Sequence, residues 1–373
     1  MKTTLIACIT SLLFSGSVAA GDWLPVNPFA AKQFVTLPDD LKFPEGLTSN
    51  PRNGDIYVST FNVPNTDYNP SPINSLLRYS KQGDLLARTD FSGATPLVGI
   101  KFNSHDNHIY LASLGDITGI GSKILKIPAD FTNETAAKIV ADIPFIGAPQ
   151  DRVVPNLDTS THNIKFSTYI RVPNDIIFNN AGDLFVSDSF QGAVFRINDA
   201  ANCDSSCSIE TVIQHGLLAT AGFPSFGANG LALNANESEL YIANTGDDRI
   251  LKLDLHHDEQ LSIFAESING PDGISFDQSG NLWVTANQSD KLIALNKEGR
   301  IIAKLGDFLG LRDDGSPRGL LFPASIEIIG NNIFVTNMAQ IATPVIGDEP
   351  EEKITHYTVS KIWAPLILSG FWF

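Results

Sequence analysis

Apolar residues recur along the chain in short runs bounded by Asn, Asp, Gly or Pro, and the runs come in matching sets. Each set has a small or polar residue opening an apolar stretch, a turn, and then a strand with an aromatic or apolar pair near its start. The copies read Phe43-Pro44-Glu45-Gly46-Leu47 with Asp55-Ile56-Tyr57-Val58-Ser59, and Leu97-Val98-Gly99-Ile100 with His108-Ile109-Tyr110-Leu111-Ala112. Val172-Pro173-Asn174-Asp175-Ile176 pairs with Asp183-Leu184-Phe185-Val186-Ser187, and Ala228-Asn229-Gly230-Leu231 with Glu239-Leu240-Tyr241-Ile242-Ala243. The last two are Gly270-Pro271-Asp272-Gly273-Ile274 with Asn281-Leu282-Trp283-Val284-Thr285, and Pro323-Ala324-Ser325-Ile326 with Asn332-Ile333-Phe334-Val335-Thr336. A third strand follows in several sets, as in Ser75–Tyr79 or Arg249–Leu253, and often a fourth.

Period-2 alternation over short runs predicts strands, and sets of three or four repeating every ~40–55 residues are the signature of a β-propeller. Six copies predict an all-β, six-bladed propeller over residues 21–361. A blade cannot bury both its faces alone, so the ring must close; the strand at Gln33–Leu37 is expected to complete the last blade. The spacing is broken once, by an insertion at about 143–170 carrying Pro144, Pro149 and Pro155. A long loop of this kind in a packed domain is commonly functional, and it is expected to cap one mouth of the channel.

Composition narrows the function. A formal net charge of −16 excludes an extended nucleic-acid or anionic-membrane surface, which needs clustered Lys and Arg. A small-molecule substrate and a monomer are expected. At the N-terminus, Lys2, an apolar run at Leu5–Phe14 and the small residues Ser17-Val18-Ala19-Ala20 read as a signal peptide over 1–20, so the chain is expected to be exported, to a periplasm or outside the cell. The apolar tail 362–373, with Trp363, Phe371, Trp372 and Phe373, is too short for a transmembrane span. Cys203 and Cys207, close together in a polar loop of an exported chain, are expected to form a local disulfide. Asn133, Asn236 and Asn287 open glycosylation sequons, meaningful only in a eukaryotic secretory pathway. His162 and His215 lie in loops and are candidates to reach the channel; His105, His108 and the pair His256-His257 read as solvated turns.

Aligning the six sets isolates one column at the start of the innermost strand: Glu45, Val98, Asn174, Asn229, Asp272, Ala324. Innermost strands line the channel, so the column forms a ring at one depth. Four of its six members carry oxygen donors, while Val98 and Ala324 show that the position does not itself require polarity. Two carboxylates and two amides suit a hard cation such as Ca²⁺, another divalent ion being the alternative, whereas Zn²⁺ favours His and Cys. Capping of blade tops would explain any one of these residues, but the four together at one repeat position point to a metal site made of Glu45, Asn174, Asn229 and Asp272.

At these residues the sequence resembles the SMP-30/gluconolactonase/luciferin-regenerating enzyme family of calcium-dependent propeller hydrolases. The resemblance rests on Glu45-Gly46, Asn174-Asp175, Asn229-Gly230-Leu231 and Asp272-Gly273-Ile274 in order. It implies Glu45, Asn229 and Asp272 as metal ligands and Asn174 as a ligand of metal or substrate. It further implies a lactonase or esterase in which Asp272 activates water or attacks directly while Glu45 holds the metal. There are departures. Gly46 stands where paraoxonases carry an acid, and Ser113-Leu114-Gly115 stands where they carry a histidine. Val172 occupies the place of the arginine of sugar-lactone members; Arg171, one step further from Asn174, is the substrate-binding candidate in its stead. The rival readings are a non-catalytic binding propeller with structural calcium, and a metal-free enzyme like strictosidine synthase.

Overall fold

In each set the second strand is apolar on both faces, and such a strand is stable only inside a sheet that is itself sandwiched. Ile56–Thr60, Leu184–Asp188 and Leu282–Ala286 are buried at every position. A computed structural model describes residues 30–63, 72–91, 95–116, 119–203, 205–256, 260–343, 345 and 347–364. Six four-stranded antiparallel sheets form the blades of a propeller, their strands following one another in sequence from the channel outward. Blade I comprises Pro44–Ser49, Ile56–Thr60, Asn74–Tyr79 and Leu85–Phe91. Blades II to V run likewise from Leu97–Asn103, Pro173–Phe178, Ala228–Leu233 and Pro271–Phe276. Blade VI comprises Pro323–Ile329, Asn332–Asn337 and Thr358–Trp363, and its outermost strand is Lys32–Thr36, from the other end of the chain. The ring is thus fastened as expected, by pairs such as Gln33 with Ser360.

Aromatic side chains of the second strands fill the space between blades. Tyr110 of blade II meets Phe178 of blade III edge-on at 4.9 Å, and Tyr241 of blade IV meets Phe276 of blade V at 5.0 Å. The outermost strands face water and show it: Leu85 and Leu86 are about half exposed.

All six innermost strands share one irregularity. Pairing with the second strand skips two residues in each: between Pro44 and Leu47, Leu97 and Ile100, Pro173 and Ile176, Ala228 and Leu231, Pro271 and Ile274, and Pro323 and Ile326. The first skipped residue is always the polar-or-apolar column of the sequence alignment. A bulge of this kind re-aims a side chain out of the alternating pattern, here toward the axis. The second skipped residue is glycine in blades I, II, IV and V, where the next blade lies too close for a side chain, and Asp175 and Ser325 in blades III and VI. A Cβ on Gly99 would sit 2.6 Å from the Asn174 carbonyl oxygen, and one on Gly230 would overlap that of Asp272.

Several expectations are revised. The insertion 143–170 is not irregular throughout but contains a hairpin, Arg152–Pro155 paired with Thr161–Ile164. It is tied to blades III and IV: Gln191 bonds the backbone of Pro144 and Ile146, Gln214 that of Gly147, and Arg152 forms an ion pair with Asp247. The third strand of blade VI is delayed to Thr358, and the expected tail begins inside it, with Ile362 buried and Trp363 half exposed. The rest of that tail and the signal-peptide segment 1–20 lie outside the described residues. No described helix is long and apolar enough to cross a membrane. Cys203 and Cys207 are bonded, with S–S 2.03 Å.

If the close approach of the inner strands holds the ring together, Gly230→Ala should lower stability by about 1–3 kcal/mol, as overpacking does. The midpoint of urea unfolding reads this directly, and an unmoved midpoint would show that the strands have room to spare.

Candidate metal centre

The bulges bring Glu45, Asn174, Asn229 and Asp272 to the wall of one cavity of ≈ 260 Å³ at the channel mouth. All four are buried, with exposures of 4–6%. Val98 lines the same cavity.

A second column, the residue directly after the end of each second strand, explains how three of these side chains are held. It reads Phe61, Leu114, Ser189, Thr245, Asn287 and Met338 across blades I to VI. In blade III Asn174 Nδ2 donates to Ser189 Oγ at 3.0 Å, and in blade IV Asn229 Nδ2 donates to Thr245 Oγ1 at 2.9 Å. Each hydroxyl spends its own proton on the next blade, Ser189 on the Ala228 carbonyl at 2.7 Å and Thr245 on that of Pro271 at 2.8 Å. A hydroxyl has one proton to give, so it must accept from the amide nitrogen. This fixes the orientation of both asparagines, and the Oδ1 atoms are the ones left for the cavity. In blade V Asn287 Nδ2 donates to Asp272 Oδ2 at 3.2 Å.

Blade I breaks the pattern. Its second-column residue is Phe61, which offers no donor, and Glu45 Oε2 is buried without a hydrogen-bond partner. Burial pushes the Glu45 carboxyl well above the ordinary carboxylate range, and the charges of Asp272 and Asp175 push it further. Burial likewise pushes Asp272 up to about 7, against the amide hydrogen bonds of Asn287 and Asn229 and with the Asp175 charge adding to the rise. Asp175 is a neighbour of the ring: its carboxylate accepts from Ile176 N and Leu231 N, both at 2.8 Å.

Two carboxylates in one cavity, one with a buried oxygen that no donor reaches, and two amides with their oxygens left over form a donor set that fits a hard divalent cation. Among the described residues no group of three His, Cys, Asp or Glu side chains could hold a metal ion, so a site here relies on the two amide oxygens beside the two carboxylates. The four sequence candidates therefore converge. Arg171 does not join them: it donates to the Gly119 carbonyl at 3.1 Å, lies over the Phe145 ring, and is absent from the cavity lining, where Val172 stands. Nor does the insertion 143–170 contribute to that lining, which includes Phe223–Phe226 from the blade III–IV connection and Met338, Gln340, Ile341 and Ala342 from blade VI. His162 and His215 are also elsewhere, His215 lining a separate surface cavity beside Arg152. Asn287, read as the start of a glycosylation sequon, is 2% exposed and belongs to the site.

Comparison with known proteins covers the polar side of this ring. Residues 171–306 match the SMP-30/Gluconolactonase/LRE-like region. That stretch spans blades III to V and contains Asn174, Asn229, Asp272 and their three partners. The lactonase drp35 of Staphylococcus saprophyticus is 25% identical over 282 residues, covering 67% of this chain and 74% of that protein. Among solved structures, a luciferin-regenerating enzyme superposes with a TM-score of 0.58 at 12% identity, covering 87% of this chain and 92% of its own. Regucalcin from Agrobacterium tumefaciens, described as a calcium-binding protein, gives 0.55 at 13% identity, covering 90% and 93%. At such identities the structural likeness establishes the fold, and the function rests on the site.

The carboxyl pair sets a pH dependence. Both groups have folded-state pKa values raised above those of the unfolded chain. Without a cation, the folded protein therefore holds more protons between about pH 4 and pH 7, and its stability falls as pH rises through that window. A chelator-treated sample should show a melting temperature that declines from pH 5 to 7.5, and millimolar Ca²⁺ should reduce the decline. Parallel pH profiles with and without Ca²⁺ would mean that the pair does not govern it.

Proposed function

We propose that this protein is a divalent-cation-dependent lactonase-type hydrolase, with calcium as the cation and Glu45, Asn174, Asn229 and Asp272 as its ligands. The observation that carries the reading is the orphaned Glu45 Oε2, facing the same cavity as Asp272 and the two oriented amides. The matched family region and the lactonase similarity support hydrolysis of a cyclic ester. Disulfide formation between Cys203 and Cys207 supports an exported protein.

In the reaction, a water oxygen adds to the lactone carbonyl carbon, the ring C–O bond breaks, and the ring oxygen leaves with a proton as a hydroxy acid forms. When bound, the cation supplies electrophilic polarisation of the carbonyl oxygen and stabilises the negative charge that develops there. The chain's own residues do the rest. Asp272 takes the water proton, or attacks the carbonyl directly, from a position fixed by Asn287. Asn174 and Asn229 present oxygens whose direction Ser189 and Thr245 set, so they need no reorganisation during turnover. Phe223 and Phe226 add aromatic surface to the same cavity.

A lactone panel followed by proton release, with and without chelator, tests the reading. Turnover should require Ca²⁺. Asp272→Asn should lower kcat at least ~100-fold while calorimetry still detects Ca²⁺ with weakened affinity. Full activity in that variant removes Asp272 from the chemistry, and chelator-resistant turnover removes the metal.

A further inference from the structure

The ring is two-faced. Blades III, IV and V present Asn174, Asn229 and Asp272, backed by Ser189, Thr245 and Asn287. The neighbouring blades VI, I and II present Ala324, Glu45 and Val98 in the first column and Met338, Phe61 and Leu114 in the second. Apart from Glu45, that half is apolar; buried Phe322 continues it and Ile341 carries it toward solvent. Phe223 and Ile341, both lining the cavity, stand 54% and 45% exposed. The described lining holds no Lys, Arg or His. Beyond the ring and its partners its polar side chains are Ser225 and Gln340, because Thr245 is already committed in both directions.

We infer that the substrate is a lactone bearing an alkyl or aryl substituent, not a polyhydroxylated sugar lactone. The ester group lies toward blades III to V, and the substituent lies along Phe61, Val98, Met338 and Phe322 and leaves the mouth past Ile341 and Phe223. Several sugar hydroxyls placed against that wall would lose their water and find few partners, whereas a hydrocarbon chain buries apolar surface on both sides. The apolar mouth is also consistent with an exposed rim, since large apolar side chains left in water at a cavity edge mark a binding surface.

The inference rests on the hydrolase reading only for the reactive group, and two assays separate them. In the first, the Ca²⁺-loaded protein is given δ-lactones of increasing alkyl length alongside glucono-δ-lactone. kcat/KM should climb with chain length and exceed that for the sugar lactone by about 100-fold or more, each well-placed methylene contributing part of this. In the second, calorimetry compares a non-hydrolysable alkyl δ-lactam with gluconolactam. Preference for the alkyl lactam without turnover of any lactone would uphold the apolar recognition and end the hydrolase reading. Equal or better use of the sugar lactone, or no alkyl preference in binding, overturns the inference. The exposed-site variants Phe223→Ser and Ile341→Ser, which disturb little of the core, should each reduce the alkyl preference about 10-fold. An unchanged preference in both would place the substituent somewhere else.

Discussion

The structure depends on how closely six innermost strands approach one another around the axis. Where they converge, backbone groups that would pair within a sheet have no partner strand, and each must be satisfied across the gap between blades. In blades I, III, V and VI a hydroxyl near the end of the second strand does this, whereas blades II and IV carry Ala112 and Ala243 there. Ser59 accepts from Gly46 N and donates to the Val98 carbonyl at 2.7 Å; Ser187 does the same between Asp175 N and the Asn229 carbonyl. Thr336 links Ser325 N to the Glu45 carbonyl at 2.9 Å, which closes the ring between blades VI and I. Each such hydroxyl fixes the backbone of a column residue and therefore the base of a side chain in the mouth. The closure of the fold and the rigidity of the site are one set of hydrogen bonds.

The repeat made the propeller and the first column legible because both obey a period. The column stood out through contrast: Val98 and Ala324 are apolar where Glu45, Asn174, Asn229 and Asp272 are not. Glycine after the column residue, as in Asn229-Gly230, is the visible trace of the bulge and of the close approach. The second column was equally periodic and went unread because the alignment stopped at the second strand. Carried two residues further, it shows polar residues in blades III, IV and V alone, the three blades whose column residue is Asn or Asp. Asn287 was hidden differently: its Asn-x-Ser context has a surface meaning that masks a buried one.

Segments that obey no period were not legible. The Phe223–Phe226 connection and the Met338–Ala342 segment reach the cavity only because the ring brings distant parts of the chain together. Length drew attention to the insertion 143–170 instead, but length does not say where a loop lies. Gln191 and Gln214, both further along the chain, bind its backbone to blade III, and Arg152 carries it to Asp247. Arg171 shows the same limit at the scale of one residue. Its neighbour Val172 lines the cavity, while the arginine is drawn to the Gly119 carbonyl and the Phe145 ring.

The two columns together account for the uneven electrostatics of the mouth. A buried carboxylate needs donors or a counter-charge. Asp272 has Asn287, so part of its cost is met inside its own blade. Glu45 has Phe61, and nothing in blade I replaces the missing donor. A donor there would have satisfied the oxygen and lowered its appetite for a cation, as well as interrupting the apolar side of the mouth. Phenylalanine at that position does the reverse on both counts. On the proposed reading this one substitution in the repeat serves two ends, leaving a carboxylate oxygen for the metal and an unbroken hydrocarbon wall for the part of the substrate that does not react.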